Sequence, residues 1–120
     1  MLLKDRTKAF AVRIIQLSES VADKSWSARR LADQLLRSGT SVGAHYAEAL
    51  GARSDAEFIA KIDAGLQELR EALYWIDLLI TTGYIHEHLV TKLIKEGNEI
   101  KAMLIASSKT VKLRRKTKNS

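Results

Sequence analysis

Apolar residues recur at three- and four-residue steps through four stretches of the chain, and each stretch is long enough to form a helix. Phe10, Ile14, Leu17 and Val21 share one face of a segment from about Asp5 to Ala22, because a turn of 3.6 residues brings such positions into line. Lys8, Arg13, Gln16 and Glu19 fall off that stripe. Ala22-Asp23-Lys24-Ser25 forms a short polar joint, and Ser27, just after Trp26, is the expected N-cap of the second helix, since its hydroxyl can accept a free backbone N–H. That helix runs to about Leu50 with Leu31, Leu35, Val42 and Ala49 inward. Ser54-Asp55-Ala56-Glu57 reads as a capping box. It opens a third helix whose stripe is Phe58, Ile62, Leu66, Leu69, Leu73, Ile76 and Ile80, ending near Thr82, with Gly83 as the stop. Ile85-His86-Glu87-His88 leads into a fourth segment carrying Leu89, Leu93, Ile100 and Leu104, and the period fades after about Ser108. Four amphipathic segments with short joints predict an all-α fold, an antiparallel up-down four-helix bundle over residues 1–108. A basic, disordered tail over residues 109–120 is expected to follow.

Composition supports helix and removes several chemistries. The 120 residues include no proline and no cysteine, so the main helix breaker is missing, as are disulfides, zinc thiolates and a cysteine nucleophile. Apolar residues at 46% suffice for a core, and the longest apolar runs, such as Leu78-Leu79-Ile80, are far short of the ~20 residues of a membrane span. Met1-Leu2-Leu3-Lys4-Asp5-Arg6 lacks the apolar stretch of a secretion signal, so the cytoplasm is the expected compartment. The net charge of +6 is unevenly spread. Residues 1–53 hold nine Lys/Arg against five Asp/Glu, residues 54–108 five against nine, and residues 109–120 six against none. A neutral body with a basic half and an acidic half therefore precedes a cationic end.

Within the second helix, Gln34-Leu35-Leu36-Arg37-Ser38-Gly39-Thr40-Ser41-Val42-Gly43-Ala44 is followed by Glu48-Ala49, Ser54 and Phe58-Ile59-Ala60-Lys61. With Lys8-Ala9-Phe10-Ala11 and Arg13-Ile14-Ile15 before it, and Glu68, Glu71, Tyr74-Trp75 and Thr82-Gly83-Tyr84-Ile85 after it, this ordered set spans roughly residues 5–105. It resembles the four-helix-bundle proteins named for open reading frames in the intervening sequences of 23S ribosomal RNA. The resemblance implies a four-helix protomer that assembles into a ring-like homopentamer. The family includes accessory proteins of diversity-generating retroelements, which implies a basic oligomer that engages nucleic acid and a reverse transcriptase. Position 45 departs from the family pattern, carrying His45 where Asn is usual, although both side chains can donate and accept a hydrogen bond.

Four sets of residues are candidates for function. Lys109, Lys112, Arg114, Arg115, Lys116 and Lys118 would attract phosphates through charge and counterion release, and five copies would multiply the effect through avidity. Arg29, Arg30 and Arg37 on the second helix are further candidates for phosphate contact, and equally for pairing with Asp63, Glu68, Glu71 and Asp77 of the third. Gly39, Gly43, Ala47 and Gly51 recur every fourth residue as a ridge of minimal side chains, suited to a close helix approach within the bundle or between subunits. Arg37, Ser41, His45 and Glu48 line one face of the same helix. Gly39, Ser41, Gly43, His45, Ala47 and Glu48 are thus the expected interface residues. No oxyanion hole or phosphate loop accompanies this set, and His45-Tyr46-Ala47-Glu48 runs opposite to the Glu-x-x-His of metal-binding bundles and has no second copy, so no catalytic residue, metal or cofactor is expected. The expected activity is non-catalytic binding of RNA, DNA or a ribonucleoprotein by a homo-oligomer, in the narrower case as accessory to a reverse transcriptase. The alternative is an oligomeric protein scaffold with no nucleic-acid binding.

Overall fold

The computed structural model describes the backbone of residues 2–118 and the side chains of residues 2–117. Four helices occupy them: α1 (Leu3–Val21), α2 (Trp26–Leu50), α3 (Asp55–Thr81) and α4 (Glu87–Lys118). Their boundaries follow local hydrogen-bond chemistry. Ser25, extended at φ −167°, caps α2 by accepting the Ala28 N–H at 2.9 Å. The cap is therefore Ser25, two residues before the expected Ser27, and Trp26 already lies inside the helix. Ser54 caps α3 through the Glu57 N–H at 3.1 Å, while the Glu57 carboxylate reaches back to the Arg53 N–H at 3.2 Å. The capping box is thus present with its return bond displaced by one residue. Gly83 adopts φ +83°, and the Tyr84 and Gly83 N–H groups donate to the Leu79 and Ile80 carbonyls at 2.9 and 3.0 Å. Those paired bonds satisfy the last carbonyls of α3 in the conformation that favours glycine.

Each helix packs on its two sequential neighbours, with α1 closing against α4, while among the described residues no Cα atoms of the diagonal pairs come within 8 Å. Phe10, Ile14, Leu35, Val42, Ile62, Leu69, Ile76, Leu79, Ile100 and Leu104 are fully buried at the centre. Glycine lets neighbouring helices approach at several levels. A Cβ on Gly39 would stand 2.6 Å from Ile14 Cγ2, and one on Gly97 would stand 2.9 Å from Leu73 Cδ2. One inward assignment of the sequence shifts. Leu89 is 66% exposed and Val90 is buried in its place, because the buried row of α4 is Val90, Leu93, Gly97, Ile100, Leu104, Ser108 and Val111. That alternation of three- and four-residue steps is the seam of a bundle helix.

The row also corrects the expected tail. Residues 109–118 are helical, continuing α4 without a break, whereas the apolar period alone ends the bundle at Ser108 and predicts disorder beyond it. Val111 is buried to 8% exposure and Ser108 to 3%, and a serine in the seam is what makes the apolar period fade. Residues 119 and 120 of the expected tail lie outside the described residues. At ~1.5 Å per residue, 32 residues give α4 a length of about 48 Å, most of the 55 Å long axis of the molecule. Helix α1 has only 19 residues. Arg6, near its start, lies against Glu99 and Met103, so about ten residues of α4 run on past α1 as an overhang.

Candidate nucleic-acid interface

The cations expected from sequence to meet phosphates separate into two ends of the molecule. Arg29 and Arg30 sit in the first turns of α2, beside the α1–α2 joint, whereas the overhang lies beside Leu50 and Arg53 at the other end of that helix. About twenty residues of helix, or about 30 Å, lie between them. Most of the α2 cations are already engaged. Arg29 pairs with Asp23. Arg30 stands over the exposed Trp26 ring at 5.9 Å. Arg37 donates to Glu68 at 2.9 Å and Glu71 at 3.3 Å. On the overhang, Arg114 pairs with Asp55 at 3.2 Å and Lys112 approaches Asp63 at 3.8 Å. Lys109, Arg115 and Lys116 are exposed and have no carboxylate within 4.0 Å among the described residues. The Lys118 side chain lies outside the described ones.

The polar stripe of α2 serves the α2–α3 seam. Besides the Arg37 pairs, the Lys61 ammonium contacts the Glu48 carboxylate at 2.6 Å. That hydrogen bond, and then the charge behind it, holds Glu48 below the ordinary carboxylate range and raises Lys61 above the ordinary lysine range. Ser41 donates to the Arg37 carbonyl at 2.7 Å, so its proton is bound to the backbone. His45 stands with its Cβ against Gly65, where a methyl would lie 3.5 Å away, and its Nδ1 is buried with no hydrogen bond, 4.0 Å from Glu48. The small-residue ridge meets α1: Ile14 covers Gly39, and Thr7 Oγ1 would lie 3.2 Å from a Cβ on Gly43. Ala47 is exposed in a shallow groove between α1 and α2. Gly51 terminates α2 and contributes no close approach. Four of the six expected interface residues, Gly39, Gly43, His45 and Glu48, therefore contact a neighbouring helix of the same chain, while Ser41 bonds within α2. Among the described residues no three His, Cys, Asp or Glu side chains converge as metal ligands, and no helix is long and apolar enough to cross a membrane.

A groove between α3 and α4 joins residues that sequence reasoning did not bring together. Asp63, Leu66 and Arg70 from α3 face Ile105, Ser108, Lys109 and Lys112 from α4 around a cavity of about 380 Å³. Arg70 was missed because it lies in the acidic half of the chain, and Ile105 because it falls off the inward row of α4. The only sequence signal for Arg70 was its sign: with Lys61, it is one of two bases in a helix of six acids.

Comparison with known proteins places this architecture in a family. The profile described as 23S rRNA-intervening sequence protein matches residues 2–106. The chain belongs to that family. One solved member of the fold, a protein of unknown function from the S23 ribosomal protein family of Bacteroides thetaiotaomicron VPI-5482, is 38% identical. The similarity covers 90% of this chain and 99% of that one, with a TM-score of 0.84. No curated protein matches. The intervening-sequence family match takes in α1, α2, α3 and the first two-thirds of α4, including the ridge and the polar stripe, but stops short of Lys109. The overhang thus lies beyond the part of the bundle that the family profile describes.

Proposed function

We propose that the protein is a non-catalytic homo-oligomer, a pentamer as its family resemblance implies, that binds nucleic acid or a ribonucleoprotein through the cationic overhang of α4. The observation that carries this reading is the set Lys109, Arg115 and Lys116, exposed and without ion-pair partners among the described residues, on a helix that continues past α1. A helix fixes these charges at set spacings, so less chain entropy is lost on meeting a row of phosphates than a flexible tail would lose. Repetition around an oligomer adds avidity without new contacts. Service as an accessory to a reverse transcriptase is the narrower form of the same reading.

The test is the affinity of the whole chain for structured RNA and duplex DNA across a salt series, beside a variant with Gln at Arg115 and Lys116. Substitution is preferable to truncation, because Val111 is packed and its removal would disturb the bundle. Binding should weaken with salt, and the slope should fall by about one for each phosphate that the variant no longer neutralises. Absence of binding at low salt would sink the proposal. An oligomeric protein scaffold is the second reading. It is favoured by the shallow α1–α2 groove of Ala11, Thr40, Gly43, Ala44 and Ala47 flanked by Lys4 and Lys8. Retention of a specific protein partner with no RNA or DNA affinity would select it.

A further inference from the structure

The α3–α4 groove holds a surplus of positive charge that packing does not account for. Arg70 and Lys61 are the two bases of α3. Lys61 is bound to Glu48 at 2.6 Å, while Arg70 has no carboxylate within 4.0 Å among the described residues, and neither has Lys109 across the groove. Lys112 reaches one carboxylate, Asp63, at 3.8 Å. Three cations and a single acid therefore line one cavity. Like charges gathered beside an apolar surface repel more strongly than in open water, and an incoming anion relieves that repulsion. The Asp63 carboxylate also accepts a hydrogen bond at 3.4 Å from Ser108, a residue only 3% exposed, so it is held at the edge of the cation set as an internal competitor. Leu66 and Ile105 supply an apolar surface between the charges, and Ile105 is 43% exposed.

We infer that this groove binds a nucleotide unit, its phosphate held by Arg70, Lys109 and Lys112 and a flat face of its base or sugar laid on Ile105 and Leu66. A cavity of about 380 Å³ is of the size that takes one small ligand. The unit comes either from a free mononucleotide or from an unpaired position in a single strand. A continuous duplex is excluded, since its stacked bases keep their faces from the groove floor. The inference rests on the proposed nucleic-acid function for its strand form, and its residues are distinct enough to be tested apart from that function.

The experiment uses the full chain with adenosine 5′-monophosphate, inorganic phosphate, a ten-residue oligouridine and a duplex RNA as probes. Its variants are Arg70→Ala, Ile105→Ser and Asp63→Asn, with Lys92→Ala near the far end of α4 as a charge control and circular dichroism to verify folding. Arg70→Ala should weaken oligouridine or mononucleotide binding about fivefold, the effect of one exposed charge pair. Ile105→Ser should weaken it without changing the salt slope. Asp63→Asn should strengthen it about threefold, and Lys92→Ala should leave it unchanged. Mononucleotide binding that depends on Arg70 identifies the free ligand, and oligouridine binding alone identifies the strand. If the Arg115 and Lys116 replacements weaken strand binding while Arg70→Ala and Ile105→Ser do not, the groove is overturned and the function survives. If no strand binds but the mononucleotide does so through Arg70, the function falls and the groove stands. If inorganic phosphate competes as well as the mononucleotide, the apolar floor plays no part and the inference fails.

Discussion

The body of the bundle and the overhang of α4 use the same residue types in opposite ways. In the body, a cation near a seam finds a carboxylate on the next helix: Arg6 meets Glu96 at 2.7 Å, Arg37 meets Glu68 at 2.9 Å, and Lys61 meets Glu48 at 2.6 Å. Past the end of α1, the neighbours of helix α4 among the described residues are the last turn of α2, the α2–α3 joint and the first part of α3. Five cations with described side chains there, Lys109, Lys112, Arg114, Arg115 and Lys116, have two carboxylate partners, Asp55 and Asp63. Lys109, Arg115 and Lys116 are therefore left without an ion-pair partner among the described residues. In the body, charge sets the register of helices that apolar contacts hold together, since exposed pairs contribute only ~0–1 kcal/mol each. In the overhang, charge is available to a ligand.

The contrast can be broken first at the glycines of the body. Gly39→Leu should be the most damaging change, costing about 3 kcal/mol or more in urea unfolding, because even its Cβ would stand 2.6 Å from the fully buried Ile14. Gly43→Ala should be near neutral. Its Cβ would meet Thr7 Oγ1 at 3.2 Å, and the ~1 kcal/mol gain in helix propensity offsets the crowding. Equal effects at the two positions would refute the α1–α2 approach described above. Val111→Ala comes next, at about 1 kcal/mol. Hydrogen exchange should show faster opening confined to residues 109–118, and an unchanged exchange pattern would mean that Val111 does not fasten the overhang.

The Arg6–Glu96 strap gives the body a pH signature. The hydrogen bond from Arg6, then its charge, lowers the Glu96 carboxyl from its ordinary value of 4.5. A lowered folded value means that the stabilisation is present above the unfolded carboxyl range and is lost as pH falls through the folded value. Glu96→Gln should therefore be less stable than wild type at neutral pH, with the gap closing below about pH 4. A gap that stays constant during acid unfolding would show that the strap adds nothing. The smallest stability effect belongs to Gln at Arg115 and Lys116, which should change unfolding by no more than about 0.5 kcal/mol. Under the proposed function, their effect belongs in the salt dependence of nucleic-acid binding.

What could be read before folding was local. Four rods, the cap at Ser54, the stop at Gly83 and most of the buried rows follow from residues within a few positions of one another, because turn geometry and backbone hydrogen bonding act over that range. The fold class and family were legible for the same reason, as was the suitability of Gly39 for a close approach. The partner at that approach, Ile14, was not. Nor was it evident that Arg37 would be bound by two glutamates, that Arg29 and Arg30 would lie at the opposite end from Arg115, or that Arg70 would share a groove with Lys109. Each of these depends on how far one helix slides and turns against another. The overhang shows the division most directly. Its charges were plain in the sequence, but its order arises because Val111 and the carboxylates of α3 meet it at a distance no local pattern encodes.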